Sequence, residues 1–247
     1  LASPCLSRLL LLSAHRMGCR SSQVASVDVS VESNCFGLEV FLQYDFVDKL
    51  YTGASCQVHE ACCKRSGRTV AIKCTVKEEA TRVGRVDLQQ EARLMQRLEH
   101  QNVCKLHEWF EDDAIIYLVL DLCEGGRLFE HLEAHIVFEE SEAVRLCAQM
   151  VNATAHLHER GVMHRDLKPE SWLFGDFGRQ TGLKLVNFDL AEPCGPEGVL
   201  IQPCGTLHYV APEILRGSYG RPADMWTLGI VGFLMVYAAY PFDGESC

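Results

Sequence analysis

Positive charge is scarce in this chain. Its 247 residues carry 23 Lys and Arg against 33 Asp and Glu, a formal net charge of −10. No basic stripe offsets that balance, so nucleic acid is not expected as a partner. Long apolar runs are missing too. Leu9 to Leu12 is far below the ~20 residues needed to span a bilayer and short for the apolar core of a secretion signal. The run from Met225 to Ala239, bounded by Asp224 and Pro241, is also too short to span and reads as buried core. Paired cysteine spacing is absent: the 13 cysteines are odd in number and none form C-x-x-C. Most sit singly in apolar runs, as Cys74, Cys104, Cys123 and Cys147 do, the pattern of small buried thiols in a reducing compartment. A cytoplasmic location is therefore expected. Position 1 is not Met, and the expectation is a translation that begins upstream of the true start. Met17-Gly18-Cys19-Arg20-Ser21-Ser22 would then fit N-myristoylation at Gly18 with Cys19 placed for palmitoylation. An internal match would mean nothing chemically, so both readings stay open. If both acyl chains attach, a membrane surface becomes a partner.

What is present is ordinary globular material, 48% apolar and 23% charged. Residues 1–43 lack a clear period and read as an N-terminal extension. From Tyr44 short strand-like runs begin, with Tyr51-Thr52-Gly53-Ala54-Ser55-Cys56-Gln57-Val58 as a turn between two of them. Thr69-Val70-Ala71-Ile72-Lys73 is a strand. Residues 86–99 predict a helix with Leu88, Ala92, Leu94, Met95 and Leu98 on one stripe and Glu91 beside them. Two further strands are predicted at 105–110 and 115–120, giving a five-stranded first lobe. Residues 141–159 predict a longer helix, with Ser141 as its cap. His156 and His158 have no ligand partners at metal spacing and read as helix-end residues.

The chain is organised around Val162-Met163-His164-Arg165-Asp166-Leu167-Lys168-Pro169-Glu170-Ser171-Trp172-Leu173. This run resembles the catalytic loop of protein serine/threonine kinases. Thr69 to Lys73 resembles that family's ATP-lysine strand. The turn at Gly53 resembles its glycine-rich loop, although only the middle glycine is present. Gly205-Thr206 through Ala211-Pro212-Glu213 resembles the substrate-binding end of its activation segment. Residues 44–247 as a whole are similar to the calcium-dependent and calmodulin-dependent branch. Met17-Gly18-Cys19 is similar to that branch's acylated N-termini.

The resemblance implies an α+β, bilobal fold, with a first lobe over 44–121 and a mostly helical, truncated second lobe over 122–247. It implies Asp166 as the base for the substrate hydroxyl and Lys168 steadying the transferred phosphoryl group. Lys73, paired with Glu91, would orient ATP. Leu50, Gly53, Val58, Ala71 and Leu173 would line the nucleotide pocket, and Asp121 and Cys123 would be hinge residues offering backbone groups to adenine. Two departures bear on Mg²⁺. Ser171 stands where the family has a metal-binding Asn. Asp176-Phe177-Gly178 spells the family's metal triplet but falls in a hairpin turn, ten residues after Asp166. The corresponding triplet is Asn187-Phe188-Asp189, so an amide replaces the carboxylate and Asp replaces the glycine. Weak or absent Mg²⁺ binding is expected. Arg127 follows two glycines where that branch usually has a Glu touching ribose and basic substrates. No Ser, Thr or Tyr lies between Leu190 and Cys204, so phosphorylation cannot order that stretch against Arg165. No EF-hand loop occurs. The reading is a monomeric kinase-family domain acting on protein Ser/Thr with impaired catalysis. The alternative is a pseudokinase serving as a binding or scaffolding module for a protein partner.

Overall fold

A computed structural model of the chain describes residues 38–242, apart from 83, 85–86, 135–136 and 178–181. Gly18, Cys19 and Gly178 therefore lie outside the described residues. The first lobe is an antiparallel sheet in the order β1-β2-β3-β5-β4. Its strands are β1 (Tyr44–Thr52), β2 (Cys56–Cys63), β3 (Thr69–Val76), β4 (Leu106–Glu111) and β5 (Ile115–Leu120). β3 and β5 lie inside the sheet and bury almost every residue. That is why both read as continuous β-branched and apolar runs rather than alternating ones. The register sets Val58 opposite Lys73, and Lys73 opposite Leu118. Ala71 pairs with Leu120.

Three short helices depart from the sequence reading. The extension includes α1 (Leu38–Gln43), and α2 (Lys77–Arg82) follows β3 directly. Each is six residues long, too short to show a helical period. The helix predicted over 86–99 is reduced to α3 (Gln90–Met95), continued by turns to Leu98. It still buries Glu91, Ala92, Leu94 and Met95, so its inner face was read correctly.

The second lobe opens with α4 (Leu128–Glu133) and is built on α5 (Glu140–Glu159) packed against α7 (Pro222–Tyr237). Along α5 the buried residues Ala143, Leu146, Met150, Ala153 and Leu157 alternate three and four apart, one helical stripe. Ser141 does not cap this helix. The cap position is Glu139, which makes no side-chain capping bond, and Ser141 sits in the first turn. α7 starts with Pro222, whose missing N–H is no loss in a first turn, and stops at Ala238 in the left-handed conformation. Between these helices lie two small two-stranded antiparallel sheets: β6 (Val162–Met163) pairs with β9 (Glu192–Pro193), and β7 (Trp172–Phe174) with β8 (Leu183–Leu185). Asp176 and Phe177 fall in the β7–β8 connection, as the spacing required. Fully burying side chains such as Leu146, Leu167 and Trp172 contributes about 1.5–3 kcal/mol each. One core cluster runs from Ala92 and Leu94 through Leu185 and Phe188 to Val231, joining the two lobes behind the cleft.

Candidate active site

The loop after β6 is shaped by a carboxylate distant in sequence. Asp224, buried near the start of α7, accepts the N–H of His164 at 3.0 Å and of Arg165 at 2.9 Å. His158 Nε2 lies 2.8 Å from the same carboxylate. These bonds hold Arg165 at φ 70°, a left-handed conformation that costs an ordinary side chain on the order of 1–3 kcal/mol. His164 is fully buried. Its Nδ1 accepts the Asp166 N–H at 3.3 Å, which leaves Nε2 to donate to the Val186 carbonyl at 3.2 Å. Burial pushes the imidazole below its ordinary pKa, in keeping with that neutral tautomer.

The turn presents Asp166 to a small cluster. Its Oδ2 lies 2.9 Å from Lys168 Nζ, and its Oδ1 accepts the Thr206 hydroxyl at 2.9 Å. Lys168 in turn donates to Thr206 Oγ1 at 3.0 Å. A carboxylate, an ammonium and a hydroxyl thus close a triangle, the hydroxyl from the segment following Gly205. Sequence reasoning quoted Thr206 as part of a motif but gave it no role. Ser171 sits beneath, fully buried, and donates its hydroxyl to the Asp166 carbonyl at 2.7 Å.

Across the cleft, Lys73 of β3 reaches Glu91 of α3 through both carboxylate oxygens, at 2.7 and 2.9 Å. Both side chains are buried, so each neutralises a charge whose desolvation would otherwise be prohibitive. Asn187 follows β8 at φ 63°, and Phe188 tucks against the His164 ring at 5.0 Å. Two residues on, Asp189 Oδ1 lies 2.7 Å from Lys73 Nζ. Sequence reasoning gave Asp189 no contact; the structure sets it against the lysine.

Arg165 has its own carboxylate. Its guanidinium donates to the Leu190 carbonyl at 2.6 Å, to Glu192 at 3.0 Å and to the Tyr219 hydroxyl at 3.3 Å. Gln90, next to Glu91, donates to the Ala191 carbonyl at 2.8 Å and to Glu192 at 3.2 Å. Glu192 therefore ties the catalytic loop to the helix carrying Glu91 without any phosphate. The absence of hydroxyl residues after Leu190 was the available signal for such a tie.

At the mouth of the cleft, the guanidinium of Arg127, which stands where the family branch usually has a Glu, lies 4.4 Å from the centre of the Tyr51 ring. The ring folds back so closely that a Cβ on Gly53 would stand 3.1 Å from it. Leu50 and Tyr51 are exposed on β1, while Val58 and Ala71 face inward beside Lys73. Leu173 on β7 bridges to Arg127. At the hinge, Gly125 is needed for close approach, since a Cβ there would meet the Asp176 carbonyl at 2.1 Å. The Asp121 carboxylate faces away from any adenine role, bonding Arg68, His107 and Lys184. Burial works to raise its pKa, but His107 and Lys184 outweigh that and hold it well below the usual carboxylate range. Cys123 and Cys104 share a thiol hydrogen bond that lowers the first and raises the second.

This order of parts, lysine strand to catalytic loop to activation segment, is matched over residues 44–247 by the protein kinase domain model. The chain belongs to the protein kinase family. Its relatives make it a serine/threonine kinase domain of the calcium-dependent and calcium/calmodulin-dependent type. Calcium-dependent protein kinase 5 of Plasmodium falciparum (isolate 3D7) is 35% identical over 198 residues, covering 80% of this chain and 34% of that protein. Calcium/calmodulin-dependent protein kinase type 1 of Caenorhabditis elegans is 34% identical over 206 residues, covering 83% and 59%. CDPK-related kinase 7 of Arabidopsis thaliana is 34% identical over 183 residues, covering 73% and 32%. The kinase domain thus spans 32% to 59% of the length of these relatives. The family implies ATP and Mg²⁺ as cofactors and proteins as substrates.

Proposed function

We propose that this kinase domain binds adenine nucleotide between its lobes and transfers phosphoryl groups to protein Ser/Thr hydroxyls slowly, because its metal-binding positions are substituted. One contact carries the reading. The single Ser171 hydroxyl hydrogen is donated to the Asp166 carbonyl, so the residue keeps the loop's shape and has no longer limb to offer a cation. Asn187 supplies an amide without charge at the other position. Among the described residues, no group of three or more His, Cys, Asp or Glu comes together as a metal site. A hydroxyl at Ser171 and an uncharged amide at Asn187 make a weaker donor set for a hard cation than the amide and carboxylate of the family pattern. Asp166 remains placed to accept a hydroxyl proton, with Lys168 and Thr206 fixing its two oxygens. Lys73 and Glu91 remain placed to orient a polyphosphate.

Thermal-shift titration with ATP tests this directly. Weak stabilisation that changes little between Mg²⁺ and chelator is expected. A strong deepening by Mg²⁺ would show that the cation is held after all.

A second reading, a pseudokinase acting as a binding or scaffolding module, is favoured by Tyr51, whose ring stands against Arg127 where the family pattern has a bare glycine loop. Absence of phosphoryl transfer even after both metal positions are restored would select it. Acylation at Gly18 and Cys19, a cytoplasmic or membrane-surface location, a monomeric state and the lack of nucleic-acid binding belong to the same proposal. Mass spectrometry of the expressed N-terminus checks the first.

A further inference from the structure

Lysine has three ammonium hydrogens, and Lys73 has three carboxylate oxygens within 2.9 Å: both of Glu91 and one of Asp189. A phosphate oxygen arriving at this ammonium must displace one of them. Glu91 is the costly one to move. Its side chain is only 4% exposed and meets Lys73 through both oxygens, so losing that ammonium would strip a buried carboxylate of its strongest contact. Asp189 is 25% exposed and meets Lys73 through Oδ1 at 2.7 Å, so its carboxylate, unlike that of Glu91, is reached by water. It stands where the family pattern has a glycine, which offers no side chain at all.

We propose that Asp189 is an internal anion that competes with the nucleotide's phosphates for Lys73. The inference rests on the reading of the cleft as a nucleotide site. Once displaced, the Asp189 carboxylate stays tethered beside the incoming polyphosphate and repels it. The competition therefore weakens binding of any polyphosphate, with or without a cation, and most strongly for ligands that reach Lys73 with full negative charge. A nucleoside without phosphates never meets it.

The test uses the full chain and titrates ATP and adenosine, each with Mg²⁺ and with chelator. The isosteric Asp189→Asn removes the charge and keeps the shape; Asp189→Gly restores the family's residue and guards against a folding defect in the first. Both are expected to bind ATP about tenfold tighter in either condition, with adenosine unchanged. Lys73→Met serves as the control for the site. Equal ATP affinity in wild type and both variants, with Lys73→Met still weakening it, overturns the proposal and leaves the nucleotide site standing. Weaker ATP binding by the variants in Mg²⁺ alone makes Asp189 a cation ligand and also overturns it. No ATP binding by any variant at millimolar concentration removes the nucleotide reading and the proposal together.

Discussion

The two walls of the cleft have been treated differently by the sequence. On the wall that would receive the protein hydroxyl, Asp166, Lys168, Thr206 and Arg165 fit the kinase motifs quoted above and are bonded to one another or to Asp224. On the wall that would hold phosphates and metal, Tyr51, Ser171, Asn187 and Asp189 all depart. The departures on that second wall are not loose ends. Tyr51 meets Arg127, Ser171 meets the Asp166 backbone, and Asp189 meets Lys73. The difference teaches that departures from a family pattern can be met by new contacts while the neighbouring loop keeps its bonding. The bonds of Glu192 to Arg165 and Gln90 also join the loop to the helix carrying Glu91, and those of Asp224 join it to α7.

The largest expected effect comes from erasing the contrast. Ser171→Asn together with Asn187→Asp should raise phosphoryl transfer to a Ser/Thr peptide by roughly a thousandfold, since a restored metal supplies several kcal/mol to the transition state. The gain should exceed the product of the single reversions, because both ligands serve one cation cluster. If the double variant is as slow as the parent, the second wall is not the defect.

Breaking the first wall should show in stability. Asp224→Ala strips the acceptor from two backbone amides and from His158, and should cost about 3 kcal/mol or more. The urea midpoint should fall accordingly, while Asp189→Asn leaves it nearly unmoved. A matching fall in both would mean that the two walls are equally structural.

A smaller effect sharpens the mouth of the cleft. Tyr51→Gly removes a cation–π contact contributing about 0.5–1 kcal/mol, so ATP affinity should rise two- to fivefold if the contact opposes closure over the nucleotide. An unchanged dissociation constant would make the ring a bystander.

The smallest concerns acid. His164 is buried neutral with its pKa lowered, so the unfolded chain binds more protons than the native one below the ordinary imidazole value near 6.5. Its contribution is complete above that pH and is lost as pH falls through the window between the unfolded and folded values, at up to about 1.4 kcal/mol per pH unit. Denaturant titrations from pH 7 to 5 should show this slope, reduced in His164→Gln.

Much of the fold was legible because its signals are local. The run Thr69-Val70-Ala71-Ile72-Lys73 was legible as a strand, and the three-four spacing from Ala143 to Leu157 as a helix face. The catalytic loop and Asn187 were legible through motif order, which also exposed Asp176-Phe177 as a turn. The six-residue helices were not legible, because less than two turns carries no period. Ser141 misled because cap preference is a weak rule against the packing that starts α5 earlier. Contacts such as Tyr51 with Arg127, or Glu192 with Gln90 and Arg165, join residues far apart in the chain. No local period marks them; for Glu192 the one hint is the lack of hydroxyl residues after Leu190.

Asp224 carries a consequence for how the molecule comes into being. The peptide groups it holds belong to His164 and Arg165, about sixty positions earlier in the chain. During synthesis those positions leave the ribosome well before the carboxylate that shapes them exists. The segment must wait without its native turn until α7 is made and docked, and closing so long a loop costs only slightly more entropy than closing a shorter one. The catalytic turn is therefore among the last features to settle, and a nascent chain halted before residue 224 holds both lobes' early strands and no working loop.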